Sequence, residues 1–190
     1  FDLAVPVAPR IAELLDLSQR RHLLDLGGGP GTFAIFFCLK NPQLEATVYD
    51  LPSRRVFAYR AIERFGLADR IIFQAGNYLE DAVPGRYDVA WLSQILHSEG
   101  ASECDRIISK AVGALDPGGM LLVHEFILNN AMGGPLFPAL FSLNMLLHTA
   151  QGQSYTEAQL IEMLTRRGVK QLQRLSFQGP NDSGIIAGVV

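Results

Sequence analysis

The sequence predicts an α/β fold: a doubly wound sheet of about seven strands, mostly parallel, with helices on both faces and a C-terminal antiparallel hairpin. Three observations predict it. Short apolar runs alternate with longer segments of helical period, which is the rhythm of β-α-β units. The runs are apolar nearly throughout, as expected for strands covered on both faces. The last two runs are separated by only "QGPND" (178–182), too few residues for a helical crossover, so they must return antiparallel.

The elements follow in order. "VAPRIAELLDL" (7–17) reads as an amphipathic helix, preceded by residues that read as the tail of a helix or linker. The first strand is "HLLDL" (22–26), followed by a helix through "TFAIFFCLK" (32–40). "EATVYDL" (45–51) is the second strand, and "RRVFAYRAIERFG" (54–66) its helix. "RIIFQAG" (70–76) and "YDVAWLS" (87–93) are the third and fourth strands. A helix through "SECDRIISKAVGAL" (102–115) is stopped by "DPGG" (116–119), and "MLLVHEF" (120–126) forms the fifth strand. Right-handed crossovers make this arrangement doubly wound and Rossmann-like. An insertion follows, "NNAMGGPLFPALFSLNMLLHTAQGQSYT" (129–156), a loop running into an apolar helix. The next helix, "TEAQLIEMLTRRG" (156–168), has Thr156 as N-cap and Gly168 at its C-terminal end. "VKQLQRLSF" (169–177) and "SGIIAGVV" (183–190) form the hairpin.

Composition bounds the partners. With 190 residues, 48% hydrophobic and 18% charged, the chain supports one domain spanning residues 1–190. A net charge of -3 and a pI of about 5.8 provide no basic footprint for nucleic acid. No apolar run reaches the roughly 18 residues of a bilayer span, and the N-terminus lacks a signal peptide's basic start and long apolar centre, so no membrane partner is expected. Cys38 and Cys104 lack pairing or metal-ligand spacing, which fits free thiols, a reducing cytoplasmic compartment and no bound metal.

The chemistry concentrates in "LLDLGGGPGTF" (23–33). Glycine loses the most backbone entropy on folding, so a cluster beside a strand marks a positional demand. A dinucleotide fingerprint requires glycine at position 32, which is Thr32, and no Gly-Lys-Ser/Thr follows to make a phosphate loop. The acid-x-Gly-x-Gly-x-Gly spacing of Asp25, Gly27, Gly29 and Gly31 instead resembles the first motif of class I S-adenosylmethionine-dependent methyltransferases. Asp50, ending the second strand, is placed to accept the ribose hydroxyls of such a cofactor; a helix N-cap is the other reading.

"DLP" (50–52), "ILH" (95–97) and "HEF" (124–126) narrow the resemblance to the plant-type and bacterial small-molecule O-methyltransferases, over essentially the whole chain as their catalytic domain. That resemblance implies methyl transfer from S-adenosylmethionine to a hydroxyl of a small aromatic molecule, leaving S-adenosylhomocysteine. His97 aligns with the general base and Glu125 with the acid that orients it, while the adjacent His124 faces the other side of its strand as a structural residue. On the cofactor side the resemblance adds Leu51, Asn77, Tyr78, Ser93 and Gln94; Tyr78 also reads as a core aromatic. On the substrate side it points to Phe137, Phe141, Asn144, Met145 and His148 in the insertion helix, whose stripe also reads as core or dimer surface. It further implies an upstream helical domain that makes a homodimer, missing from a chain that starts at Phe1.

The sequence departs from the family twice. Ser98, Glu99 and Gly100 follow the histidine where aspartate and tryptophan are usual, and "GQSYT" puts Ser154 in the place of a second supporting acid and Tyr155 in that of an arginine. A cofactor-binding protein with other or no catalysis therefore stands as the alternative, and a nicotinamide-dependent oxidoreductase is disfavoured by Thr32.

Overall fold

A computed structural model describes residues 4–190, so part of the opening stretch read as a linker tail falls outside the described residues. Seven strands form one mixed sheet, mostly parallel, in the order β3-β2-β1-β4-β5-β7-β6. They are β1 (His22–Leu26), β2 (Glu45–Asp50), β3 (Ile71–Ala75), β4 (Tyr87–Ser93), β5 (Leu115–Phe126), β6 (Lys170–Arg174) and β7 (Ser183–Val189). The helices are α1 (Ala8–Leu14), α2 (Thr32–Lys40), α3 (Arg55–Arg64), α4 (Ala101–Ala114), α5 (Leu136–His148) and α6 (Glu157–Arg166). The chain divides into two compact units, one of residues up to Trp91 with Ala114–Gly119, the other of Leu92–Gly113 with Met120–Val190.

In the first unit β1, β2 and β3 pair in parallel, Leu24 facing Thr47 and Thr47 facing Ile72. Asp88 accepts from the N–H groups of Arg21 and His22 at 2.7 and 3.0 Å, fixing where β1 begins. One guanidinium nitrogen of Arg70 donates to the carbonyls of Asn41, Pro42 and Leu44, closing the turn into β2. α2 is apolar on nearly every side, as a helix buried in the core must be. Phe33 and Phe37 pack on Trp91 with ring centres 5.0 and 5.1 Å apart. This anchors the helix that starts at the glycine loop.

In the second unit β7 pairs antiparallel with β5 and with β6. The expected hairpin is present, and its second strand lies between the first and β5. β5 begins at Leu115 rather than Met120, so the "DPGG" stretch, with Gly118 at φ +80°, falls within the strand's span. α4 buries Cys104, Ile107, Ile108 and Ala111. α5 is different: Leu136, Leu140, Leu143, Leu146 and Leu147 are each more than half exposed. Among the described residues no helix is long and apolar enough to cross a membrane.

α6 starts with a reciprocal cap. The N–H of Gln159 donates to the Thr156 hydroxyl at 3.2 Å, and the N–H of Thr156 donates to Gln159 Oε1 at 2.8 Å. Losing an N-cap hydroxyl costs about 1 kcal/mol. Thr156→Ala is expected to lower the unfolding free energy by that amount, a fall in the urea midpoint of roughly 0.3 to 1 M with the slope m unchanged, and Thr156→Ser to stay near the wild type, as followed by circular dichroism.

Candidate active site

Alternate glycines shape the loop after β1. Gly27, Gly29 and Gly31 have φ of +71°, +55° and +75°, a left-handed backbone that side chains disfavour. Close approach adds two further demands: a Cβ on Gly28 would lie 2.5 Å from the Asp25 carboxyl carbon, and one on Gly31 2.9 Å from a Val48 methyl. Nothing lies within 4 Å of the corresponding point on Gly29. The glycines thus bring the loop down onto its own strands and leave Gly29 open.

Two carboxylates hold this loop. Asp50 accepts from the N–H of Gly29 at 2.7 Å through one oxygen and from the N–H of Leu51 at 2.6 Å through the other. The expectation of a carboxylate free for two ribose hydroxyls is modified accordingly: both oxygens already hold backbone, and further bonds must use their remaining lone pairs. Asp25 is fully buried below Gly28 and accepts from the N–H of Ala34 at 3.3 Å. It braces the loop and the start of α2 from underneath. Burial raises its pKa to about 7 against that hydrogen bond, with a smaller push from Asp50. Leu51 is exposed. The buried Thr32 hydroxyl, in the first turn of α2, has no hydrogen-bond partner among the described residues.

Asn77 builds its own turn. Its amide oxygen accepts from the N–H of Leu79 at 3.0 Å, and its N–H donates to Asp81 at 2.8 Å, so the oxygen expected to face a cofactor amine is engaged locally. Tyr78 is half-buried beside it.

In the second unit β4 ends at Ser93, whose hydroxyl is 2.8 Å from Nδ1 of the buried His124. Gln94 turns the chain at φ +59°, its N–H bonded to the carbonyl of His124. A 3-10 turn, Leu96–Ser98, then carries His97. His97 Nδ1 donates to Glu125 Oε2 at 2.7 Å, and the other carboxylate oxygen accepts from the N–H groups of Leu96 and His97 at 2.8 and 3.4 Å. Both side chains are buried. The pairing occupies Nδ1 of His97, so Nε2 is the ring nitrogen that the carboxylate does not take.

Aromatic rings surround the imidazole. Phe141 meets it edge-on at 4.8 Å, and Phe126 lies 6.2 Å away at 23°. Phe126 in turn contacts Phe137 at 5.0 Å and Phe141 at 4.8 Å. Of the insertion-helix residues, the structure brings Phe141 to His97, with Phe137 behind it against Phe126 and Phe141. Met145 is buried, whereas Asn144 and His148 are exposed, the ring of His148 donating to the Asn144 carbonyl. Sequence reasoning missed Phe126, whose neighbour Glu125 should have the opposite side of an ideal strand; β5 ends at Phe126, where that alternation stops applying. Among the described residues no three His, Cys, Asp or Glu side chains are grouped to hold a metal ion.

Residues 6–170 match the family model of the O-methyltransferase domain. The chain belongs to this O-methyltransferase family. One relative is a 3-hydroxy-5-methyl-1-naphthoate 3-O-methyltransferase of Streptomyces sahachiroi, 34% identical over the whole of this chain and 54% of its own length. Among solved structures, an O-methyltransferase family 2 protein of Planctomyces limnophilus in complex with apigenin superposes with a TM-score of 0.90 at 29% identity, covering 97% of this chain and 57% of that one. Human N-acetylserotonin methyltransferase in complex with SAM gives 0.84 at 29% identity, covering 96% and 51%. The chain thus spans about half the length of the O-methyltransferases it matches.

Two buried groups make opposite pH predictions for stability. Asp25, raised to about 7, stabilises the fold fully below its unfolded pKa near 4 and loses that contribution as pH rises through 7. Burial lowers the pKa of His124 to about 4, so its contribution is complete above the unfolded value near 6.5 and is lost as pH falls through 4. The slopes oppose each other between about pH 4 and 6.5. Thermal unfolding across that window is expected to gain stability with rising pH more steeply in Asp25→Asn than in the wild type, and less steeply in His124→Asn.

Proposed function

We propose that the chain is the catalytic domain of an S-adenosylmethionine-dependent O-methyltransferase that acts on a hydroxyl of a small aromatic molecule, with His97 as general base. The observation that carries the reading is the buried His97–Glu125 pair, in which the carboxylate takes Nδ1 and leaves Nε2 to receive a proton. An imidazole so held is fixed in one tautomer, and the carboxylate stabilises the imidazolium that forms. Nε2 takes the hydroxyl proton as the oxygen becomes nucleophilic. Phe126, Phe137 and Phe141 offer flat apolar surface to an aromatic acceptor beside that nitrogen.

Family membership, and relatives named for O-methylation or solved with SAM, support the cofactor. The residues of the first unit fit it. Gly27, Gly29 and Gly31 present backbone without side-chain bulk, Asp50 keeps lone pairs for hydroxyls, exposed Leu51 offers an apolar surface, and Thr32 has an uncommitted hydroxyl. When bound, S-adenosylmethionine supplies a methyl group on a positively charged sulfur. The leucine face of α5 supports a further reading, that the whole protein is a homodimer in which this face is covered.

A second reading, binding without transfer, draws on Ser154, whose buried hydroxyl has no partner among the described residues at the position where the family resemblance implies an acid. One set of measurements separates the two. S-adenosylhomocysteine at a hundredfold excess over its Kd adds about 2.7 kcal/mol, a rise in Tm of roughly 5 to 11 °C at this size. With labelled S-adenosylmethionine and a panel of phenols, the wild type is expected to transfer methyl. His97→Ala should lose roughly two to four powers of ten in rate while keeping the thermal shift. Equal rates in both proteins would remove His97 from the mechanism. Stabilisation without transfer to any phenol would favour the second reading.

A further inference from the structure

The 3-10 turn carrying His97 is fastened from two sides, and only one of them is the carboxylate of Glu125. On the other side, Cys104 Sγ, from α4, lies 3.2 Å from the Leu96 carbonyl, and the Tyr155 hydroxyl donates to the Glu99 carbonyl at 2.6 Å. The two groups are 3.5 Å apart, and both residues are buried, so water does not replace either bond. The backbone before and after His97 is therefore held at Leu96 and at Glu99 by side chains from elsewhere in the chain. The "GQSYT" segment itself lies against the turn: a Cβ on Gly152 would stand 2.5 Å from the His97 carbonyl oxygen and 3.0 Å from the carbonyl carbon of Ser98.

From this arrangement we infer that Tyr155, with Cys104, is a positioning residue for His97: its hydroxyl fixes the turn from behind so that Nδ1 stays on Glu125. The inference rests on the reading of His97 as base and extends it to two residues that touch neither ring. The tyrosine is placed independently of its hydroxyl. Its carbonyl accepts from the N–H of Leu128 at 3.0 Å, and the next residue, Thr156, caps α6. Removing the oxygen thus frees Glu99 without displacing the phenyl ring. It also accounts for tyrosine in a place where the resemblance implies arginine: a neutral donor suffices to hold a carbonyl, and the site is too deeply buried to favour a charge. Burial likewise pushes the Cys104 thiol up to about 12, keeping it a neutral S–H donor.

The test compares wild type, Tyr155→Phe, Cys104→Ser and Cys104→Ala, with His97→Ala as reference. Small displacements of a reacting group cost up to 10²-fold. Tyr155→Phe is expected to lower kcat on the order of tenfold with both KM values unchanged, and Cys104→Ser, which keeps a donor, to retain more activity than Cys104→Ala. The low-field NMR signal of the His97 ring proton shared with Glu125 should broaden in Tyr155→Phe, and this readout needs no acceptor substrate. A Tyr155→Phe protein with wild-type kcat and an unchanged ring-proton signal, even with a lower Tm, overturns the inference. Activity unaffected by His97→Ala overturns instead the reading on which it rests.

Discussion

Loops that leave the ends of a sheet carry amide groups with no ladder partner, and burying them unpaired costs about 1–3 kcal/mol each. In this protein buried carboxylates meet that demand. Asp50 takes the amides of Gly29 and Leu51, Asp25 that of Ala34, and Glu125 those of Leu96 and His97. With these amides satisfied, each loop is held in one conformation. The glycine loop keeps its left-handed residues in place, and His97 stands on a turn whose amides share the carboxylate that orients its ring. Remove these carboxylates and both loops lose the groups that define them.

The same arrangement divides the chemistry between kinds of residue. In the first unit the features proposed to face the cofactor belong to backbone: open space at Gly29, an exposed leucine after Asp50, and the start of a helix anchored on Trp91. In the second those proposed for the acceptor belong to side chains, an imidazole beside Phe126 and Phe141 with Phe137 packed on both. Backbone sites tolerate change around them if the glycines stay. Side-chain sites vary with each ring, which suits a family whose relatives bear the names of different aromatic substrates.

Much of the fold was legible in the sequence because strands buried on both faces and helices of 3.6 period leave unmistakable patterns, and the five-residue "QGPND" connection forced an antiparallel return. The insertion of β7 between β5 and β6 was not legible, since hairpin length fixes direction and not position in the sheet. The resemblance singled out His97 and Glu125, and their pairing is consistent with the ends of neighbouring strands. Asn77 and Ser93 read as ligand contacts in one dimension: the Asn77 turn onto Leu79 is local, whereas the His124 that meets Ser93 is 31 residues away. Phe126 escaped because alternation along a strand assigns it the side opposite Glu125. Tyr155 read as a departure from a pattern; the carbonyl it holds is 56 residues away in sequence.

Each unit contains one cysteine, Cys38 in the first and Cys104 in the second, both buried and unpaired, with thiols pushed up to about 12. A thiol attacks an alkylating reagent only as its thiolate, so neither can react while its surroundings stay closed. The rate at which each is modified therefore clocks the opening of its own unit. With no label introduced, the native chain contains two separate reporters of cooperativity: matched rates mean that the units open as one, and unequal rates reveal which gives way first.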